Sequence, residues 1–204
     1  QKRLARNAWI GSGEKIIEQV WIDLANNLDP TEFLGYNSLN SQAKILAIVI
    51  DGNVADKIEN DKSAELIFNQ SPFYAESGGQ VSDTGIISNE NFEAKIEKVR
   101  KISGLMVHKI IVSKGKIYNG DLVNLVVNAN RRKSIAANHS ATHLMHQALK
   151  DVVGVQVNQR GSLNDSERLR FDFSSNKPIS TNDIQKVEQI VNKHILEDTI
   201  AVSY

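Results

Sequence analysis

The spacing of apolar and polar positions changes twice along the chain, and each change marks a different kind of element. Residues 14–28 carry Ile16, Ile17, Val20, Trp21 and Leu24 at helical spacing, and Asp29-Pro30 closes the run. From about 43 to 128 the pattern shortens to β-prone runs, Ile45 to Ile50, Ala64 to Phe68, Phe92 to Val99, Val107 to Val112 and Leu122 to Val127. Gly52-Asn53, Ser77-Gly78-Gly79, Gly85, Gly104, Gly115 and Asn119-Gly120 punctuate them. Strands at that spacing, without a sequence repeat, predict a small antiparallel sheet closed or rolled into a barrel.

Near residue 130 helical spacing returns. A helix is predicted over 131–153 and ends at Gly154. Two strands are expected next, Val155 to Gln159 and Leu169 to Phe173, the second alternating Leu169, Phe171 and Phe173 against Arg168, Arg170 and Asp172. Ser180 with Asp183 three positions on forms a capping box, opening a helix with Ile184, Val187, Ile190, Val191 and Ile195. The fold class read from this order is α+β: an N-terminal helix, a small antiparallel β-barrel, then a two-layer helix–strand–strand–helix unit. The expected boundaries are 1–29, 30–129 and 130–204. The chain opens within a basic helical stretch, Lys2 to Arg6, and stops in Ile200 to Tyr204, which reads as the start of a strand. It is therefore expected to be a piece of a longer protein.

Composition narrows the function classes. The 204 residues hold 24 basic and 24 acidic side chains and no cysteine. A disulfide scaffold and a thiolate zinc cage within this chain are excluded. No apolar run approaches the ~20 residues that span a bilayer, and the opening does not read as a cleavable signal. The expectation is a soluble, cytoplasmic protein without a membrane partner. Residues 131–204 carry 10 basic and 8 acidic side chains, with Arg131, Arg132 and Lys133 together, so a polyanion contact would be local.

Three segments could carry chemistry. His139-Ser140-Ala141-Thr142-His143 lies in the long predicted helix, and a spacing of four puts both imidazoles on one face, close enough to share an ion. The same spacing also suits two partly exposed or capping histidines. Ser140 stands where a His-Glu-x-x-His zinc protease needs its glutamate, which removes that class. His146 shares the face but sits about 10 Å along the axis from His139, as a structural or pocket-lining residue. The second segment, Ser71 to Gly85, sets Gly78, Gly79 and Gly85 around Asp83, either for close backbone approach to a ligand or as an ordinary hairpin with Asp83 bonding turn amides. No phosphate-loop lysine follows it. The third, Val157 to Ser162, offers Gln159 and Arg160 at a strand end to orient a substrate or contact phosphate, or as a solvated loop. His108 and His194 stand alone and are expected at the surface or half-buried.

Taken in register, these segments resemble the alanyl-tRNA synthetase family. The match rests on Pro72-Phe73-Tyr74-Ala75-Glu76-Ser77-Gly78-Gly79-Gln80, Asp83-x-Gly85, Asn138 to His146, Gln159-x-Gly161-Ser162 and Leu169 to Phe173. The resemblance covers essentially the whole chain. It implies that residues 1–29 are the tail of the tRNA-recognition region, 30–129 the barrel and 130–204 the core of an editing region. The family joins alanine to tRNA(Ala) with ATP and magnesium in a domain outside this chain, and its editing region hydrolyses mischarged seryl- or glycyl-tRNA(Ala). It implies a zinc ion on His139 and His143, completed in the family by a cysteine and a histidine of a later motif that this chain lacks. Thr142 is implied beside the amino-acid moiety and Gln159 in the reacting pocket, with Gly78, Gly79, Gln80 and Asp83 shaping the substrate site.

The physical case for a second site is that a pocket for alanine rejects an added hydroxyl poorly, by about a hundredfold. Two alternatives stay beside the leading one. A free-standing alanyl-tRNA editing hydrolase would share this core, and a non-catalytic module could hold tRNA through the barrel and the Arg131–Lys133 cluster.

Overall fold

The computed structural model describes residues 12–175 and 178–197. The expected basic stretch at 2–6 and the expected strand at 200–204 lie outside them. Among the described residues are three helices, α1 (Ser12–Asn27), α2 (Ala129–Val153) and α3 (Thr181–Glu197). Twelve strands accompany them: β1 (Glu32–Phe33), β2 (Asn40–Ile50), β3 (Asn53–Ala55), β4 (Lys57–Glu59), β5 (Ser63–Phe68), β6 (Gln70–Ser71), β7 (Gly85–Asn89), β8 (Phe92–Ile102), β9 (Leu105–Tyr118), β10 (Leu122–Val127), β11 (Asn158–Asn164) and β12 (Leu169–Ser174). The fold is α+β. Two compact units divide the chain, the first made of residues 1–76 and 82–129, the second of 77–81 and 130–204. None of the described helices is long and apolar enough to cross a membrane.

In the first unit, strands β10-β7-β8-β9-β5-β2 are hydrogen-bonded in that order, and β10 pairs back onto β2, closing a six-stranded barrel. Closure is antiparallel, from Leu122 opposite Lys44 to Val126 opposite Asn40. Alternation fills it. Val123, Leu125 and Val127 of β10, Ala94 and Ile96 of β8, and Leu66 and Phe68 of β5 enter one core with Phe73 and Phe92. β2 breaks the alternation because both its faces are covered. Ile45 and Ile48 face the barrel core, while Ala47 and Val49 join Ile67, Leu105 and Val107 under Trp21 of α1. The helical spacing of Val20, Trp21, Leu24 and Ala25 thus caps the outside of the barrel.

His108 corrects the expectation of a surface or half-buried residue: it is 0% exposed. It follows Met106 and precedes Ile110 and Val112 on the inward face of β9. Its Nε2 lies 2.8 Å from Ser71 Oγ and its Nδ1 3.3 Å from Leu66 O, with Phe68 and Phe73 edge-on to the ring. The carbonyl of Leu66 can only accept, so Nδ1 carries the proton and Nε2 accepts from the serine hydroxyl. The ring is held neutral.

In the second unit, α2 and α3 pack on the β11–β12 hairpin through Ala148, Leu149, Val157 and Val187, with Met145, Phe171 and Phe173 beside them. The alternation of β12 is as read, Leu169, Phe171 and Phe173 being half-buried and Arg170 and Asp172 exposed. The capping box is present, the Asp183 N–H donating to Ser180 Oγ at 3.2 Å. The strand expected at Val155–Gln159 is displaced. It runs from Asn158 to Asn164, because Val157 N–H bonds Gly154 O in a turn that leaves Val155 87% exposed.

Burial lowers the His108 pKa from 6.5 to about 4. The unfolded chain binds this proton near 6.5 and the folded chain only near 4, so stability is full above pH 6.5 and falls as pH drops through that window. The shift corresponds to about 3 kcal/mol. Denaturant unfolding across this range should show the loss, and His108→Gln, which keeps an acceptor for Ser71, should flatten it. An unchanged slope in that variant would remove His108 as the cause.

Candidate functional site

Helix α2 carries His139 and His143 one turn apart, and their rings stack with centroids 5.0 Å apart and planes 21° from parallel. His139 is half-buried and His143 exposed. Burial of His139, and then repulsion from a charged His143, lower the His139 pKa. Both effects favour a neutral ring, the form that offers a lone pair to a metal. His146, one turn on, packs against Phe171 at 5.0 Å and has its Nε2 buried without a partner among the described residues. That is a structural placement. His194 pairs with Glu197 on the exposed side of α3.

Residues 77–81 of the glycine-rich segment belong to the same unit as α2. The segment turns on itself through Ser77 and Gln80, each N–H donating to the other's carbonyl. It then runs parallel to the end of β11: Asn164 N–H donates to Gly79 O at 2.8 Å and Val81 N–H to Asn164 O at 3.1 Å. Gly79 has φ +83°, and a Cβ there would run into the Ser162 backbone and hydroxyl. Only glycine meets both conditions. The pairing delivers Gln80 to His139, whose Nδ1 lies 2.7 Å from Gln80 Oε1.

Thr142 lies between the two histidines in sequence but is buried, 5% exposed. Its hydroxyl reaches Asn164 Oδ1 at 2.6 Å and Asn138 O at 2.8 Å. Both are acceptors, so the single hydroxyl proton is engaged inside the protein. Thr142, implied by the resemblance to lie beside the amino-acid moiety, thus has its hydroxyl bonded inward. Gln159 is exposed, its amide donating to Ser162 Oγ at 3.1 Å, and that hydroxyl lies 3.5 Å from Gly78 O. The backbone register shifts between Gln159 and Gly161, a bulge beside the glycine turn.

Asp83 belongs to the first unit. It is 2% exposed, and its Oδ2 accepts the Tyr74 N–H at 2.6 Å, which is the turn-amide role and not a ligand-facing one. Gly85 likewise serves the barrel, since a Cβ there would meet Val126 O and the Phe73 ring. Asn164, 1% exposed, was not singled out from the sequence. Its signal is a polar residue closing a strand next to Leu163. Arg131 of the basic cluster forms an ion pair with Asp165 at 3.3 Å, and Asn138 Nδ2 donates to Asp165 O at 2.6 Å.

The donor set fits half of a zinc site. Two adjacent imidazoles could supply two of the four ligands of a tetrahedral ion, and among the described residues no cluster of three or more His, Cys, Asp or Glu is present to complete it.

Comparison with known proteins places this geometry in context. Residues 1–131 match the family model described as tRNA synthetases class II (A). The chain is 47% identical over 200 residues to the alanine--tRNA ligase of Parvibaculum lavamentivorans, covering 97% of this chain and 22% of that protein. It is 44% identical over 199 residues to the enzyme of that name from Jannaschia sp., with 98% and 22% covered. The corresponding protein of Sinorhizobium medicae is 41% identical over 204 residues, with 100% and 23% covered. The chain thus spans less than a quarter of the length of these relatives.

The inward bond of Thr142 predicts its own test. Thr142→Val leaves the buried Asn164 carbonyl without its donor and should cost about 1–3 kcal/mol in chemical unfolding. Thr142→Ser, which keeps the hydroxyl, should cost clearly less. Equal losses would mean that only packing matters there. Gly79→Ala should also destabilise the second unit, read as faster hydrogen exchange at the Val81 and Asn164 amides.

Proposed function

The chain belongs to the class II (A) tRNA synthetases, and we propose that its residues form the editing part of an alanine--tRNA ligase. The reaction is hydrolysis of the ester that joins a wrong amino acid, serine or glycine, to tRNA(Ala). Water adds to the aminoacyl carbonyl carbon, the bond to the ribose oxygen breaks, and that oxygen takes up a proton. The longer protein would attach alanine to tRNA(Ala) with ATP and magnesium, in the cytoplasm where translation occurs. The observation that carries the reading is the stacked His139–His143 pair with Gln80 hydrogen-bonded to it.

His139 and His143 would hold a zinc ion, which when bound supplies Lewis-acid polarisation of a carbonyl or a more acidic water. The chain's own residues supply position. Gly78, Gly79 and Ser162 bring two backbone segments close enough to wall a small amino acid. Gln159 stands exposed next to them, its amide oriented by Ser162. Thr142 fixes the helix against β11, its hydroxyl proton taken by Asn164.

Specificity would then come from shape. A site walled by glycine backbone and one hydroxyl admits serine and glycine at little steric cost. Against serine, alanine, which the parent enzyme must keep on its tRNA, lacks the hydroxyl that could bond the Ser162 or Gln159 polar atoms; glycine lacks it too and differs from alanine only in size. Discrimination by a missing hydrogen bond is large when polar groups of the site would be left unpaired.

Deacylation of seryl-tRNA(Ala) and alanyl-tRNA(Ala), measured with added zinc on this chain and on a longer chain containing it, tests the proposal. Seryl-tRNA is expected to be hydrolysed faster. His139→Ala should lower both rates together, roughly 10–100-fold, since it acts on the common step. Retention of tRNA without hydrolysis by the longer chain would favour a binding module instead. With two imidazole donors, zinc on this chain alone should be lost on dialysis against a mild chelator.

A further inference from the structure

Gln80 was expected among the substrate-shaping residues, yet its side chain is directed at a protein group. Its backbone is fixed independently of that side chain. The N–H donates to Ser77 O, the carbonyl accepts from Ser77 N–H, and the flanking Gly79 and Val81 are bonded to the two backbone groups of Asn164. Asn164 is in turn held by the Thr142 hydroxyl on α2. The turn that carries Gln80 and the helix that carries His139 are thereby held to each other through Asn164, independently of the Gln80–His139 bond.

At the meeting point, Oε1 of Gln80 lies 2.7 Å from Nδ1 of His139. An amide oxygen can only accept, so the proton of a neutral imidazole must sit on Nδ1. Nε2 then keeps its lone pair, on the edge of the ring away from the glutamine. A free neutral imidazole in water leaves the choice of nitrogen open. Here a partner 59 positions distant in sequence makes it.

We propose that Gln80 is a positioning residue, selecting the Nδ1–H tautomer of His139 and orienting Nε2 as the ligand atom. The inference rests on the reading of His139 as a metal-facing group, and it names the partner that prepares it. Outer-sphere acceptors of this kind fix both the tautomer and the rotation of a ligating histidine. The role also explains why the glycine turn is pinned so tightly. A looser Gly78-Gly79 would let the acceptor wander relative to α2, and the ring would follow.

The test is the tautomer itself, read by long-range nitrogen–proton NMR on the chain with labelled histidine, at about pH 8 where the ring is neutral. Wild type should show His139 with its proton on Nδ1. Gln80→Leu should shift His139 towards the Nε2–H form, whereas Gln80→Glu, which retains an acceptor, should keep Nδ1–H. Titration with zinc alone, followed in the same spectra, should show about 10–100-fold weaker binding for Gln80→Leu and near-recovery for Gln80→Glu. Circular dichroism of each variant reports folding, and the wild-type spectrum tests the idea even if Gln80→Leu does not fold. An Nε2–H tautomer in wild type would overturn the proposal. So would a folded Gln80→Leu with unchanged tautomer and zinc affinity. A correct tautomer with no zinc response at His139 in any form would support the role of Gln80 and sink the metal reading instead.

Discussion

Asn164 is bonded through its backbone and its side chain at once, and the candidate site is assembled around those bonds. Its N–H and carbonyl pair with Gly79 and Val81, and its side-chain carbonyl takes the Thr142 hydroxyl. With 1% exposure, each of these groups lies away from water, where an unmade hydrogen bond costs about 1–3 kcal/mol. The bonds therefore act together as a geometric constraint. They draw residues 77–81 to the end of β11 and set that end against α2. Gly79 is required because Ser162 leaves no room for a Cβ. Gln80 meets His139 as a consequence.

Much of the architecture was legible because it is periodic. β-prone runs located β5, β8 and β10 within a few residues and the first half of β9, and helical spacing with Gly154 and the Ser180 capping box located α2 and α3. Elements without periodicity were not found. β7 hid in what read as a glycine loop, since Gly85 belongs to a barrel strand where Val126 O of the neighbouring β10 and the Phe73 ring fill the space of a side chain. β11 was misplaced because Val155 and Val157 look like a strand, whereas the paired residues, Asn158 to Asn164, are polar apart from Gly161 and Leu163. Pairing with β12 overrode intrinsic preference. His108 was readable in hindsight: Met106, His108, Ile110 and Val112 share one parity, and that parity faces the core.

The histidine pair was legible for the same reason, a local spacing that needs no knowledge of the rest of the fold. Its surroundings were not. The Gln80–His139 bond joins positions 59 apart and the Thr142–Asn164 bond positions 22 apart, and neither leaves a trace in local periodicity. Thr142 shows the limit most clearly. Adjacency to His143 places it about 100° around the helix, which is compatible with facing a ligand or facing the core. Only the position of β11 decides, and it turns the hydroxyl inward. Asp83 and Gly85 were grouped with Gly78 and Gly79 by sequence proximity, yet the chain divides between them at Val81.

The proton arrangement at His139 follows from two effects acting in one direction and a third that leaves them unopposed. Burial of His139 disfavours its charged form, and a charge on His143, 5.0 Å away, would disfavour it further. The third effect is the chemical nature of Gln80. A carboxylate at that position would attract a proton to the ring, opposing the other two, because an opposite charge within ~4–6 Å stabilises imidazolium. An amide offers the same acceptor geometry without the charge. It can fix which nitrogen holds the proton of the neutral ring while adding little to the attraction for a second one. A glutamine thus combines an oriented imidazole with an available lone pair near neutral pH, and a glutamate would match it only at a pH high enough to leave the ring neutral.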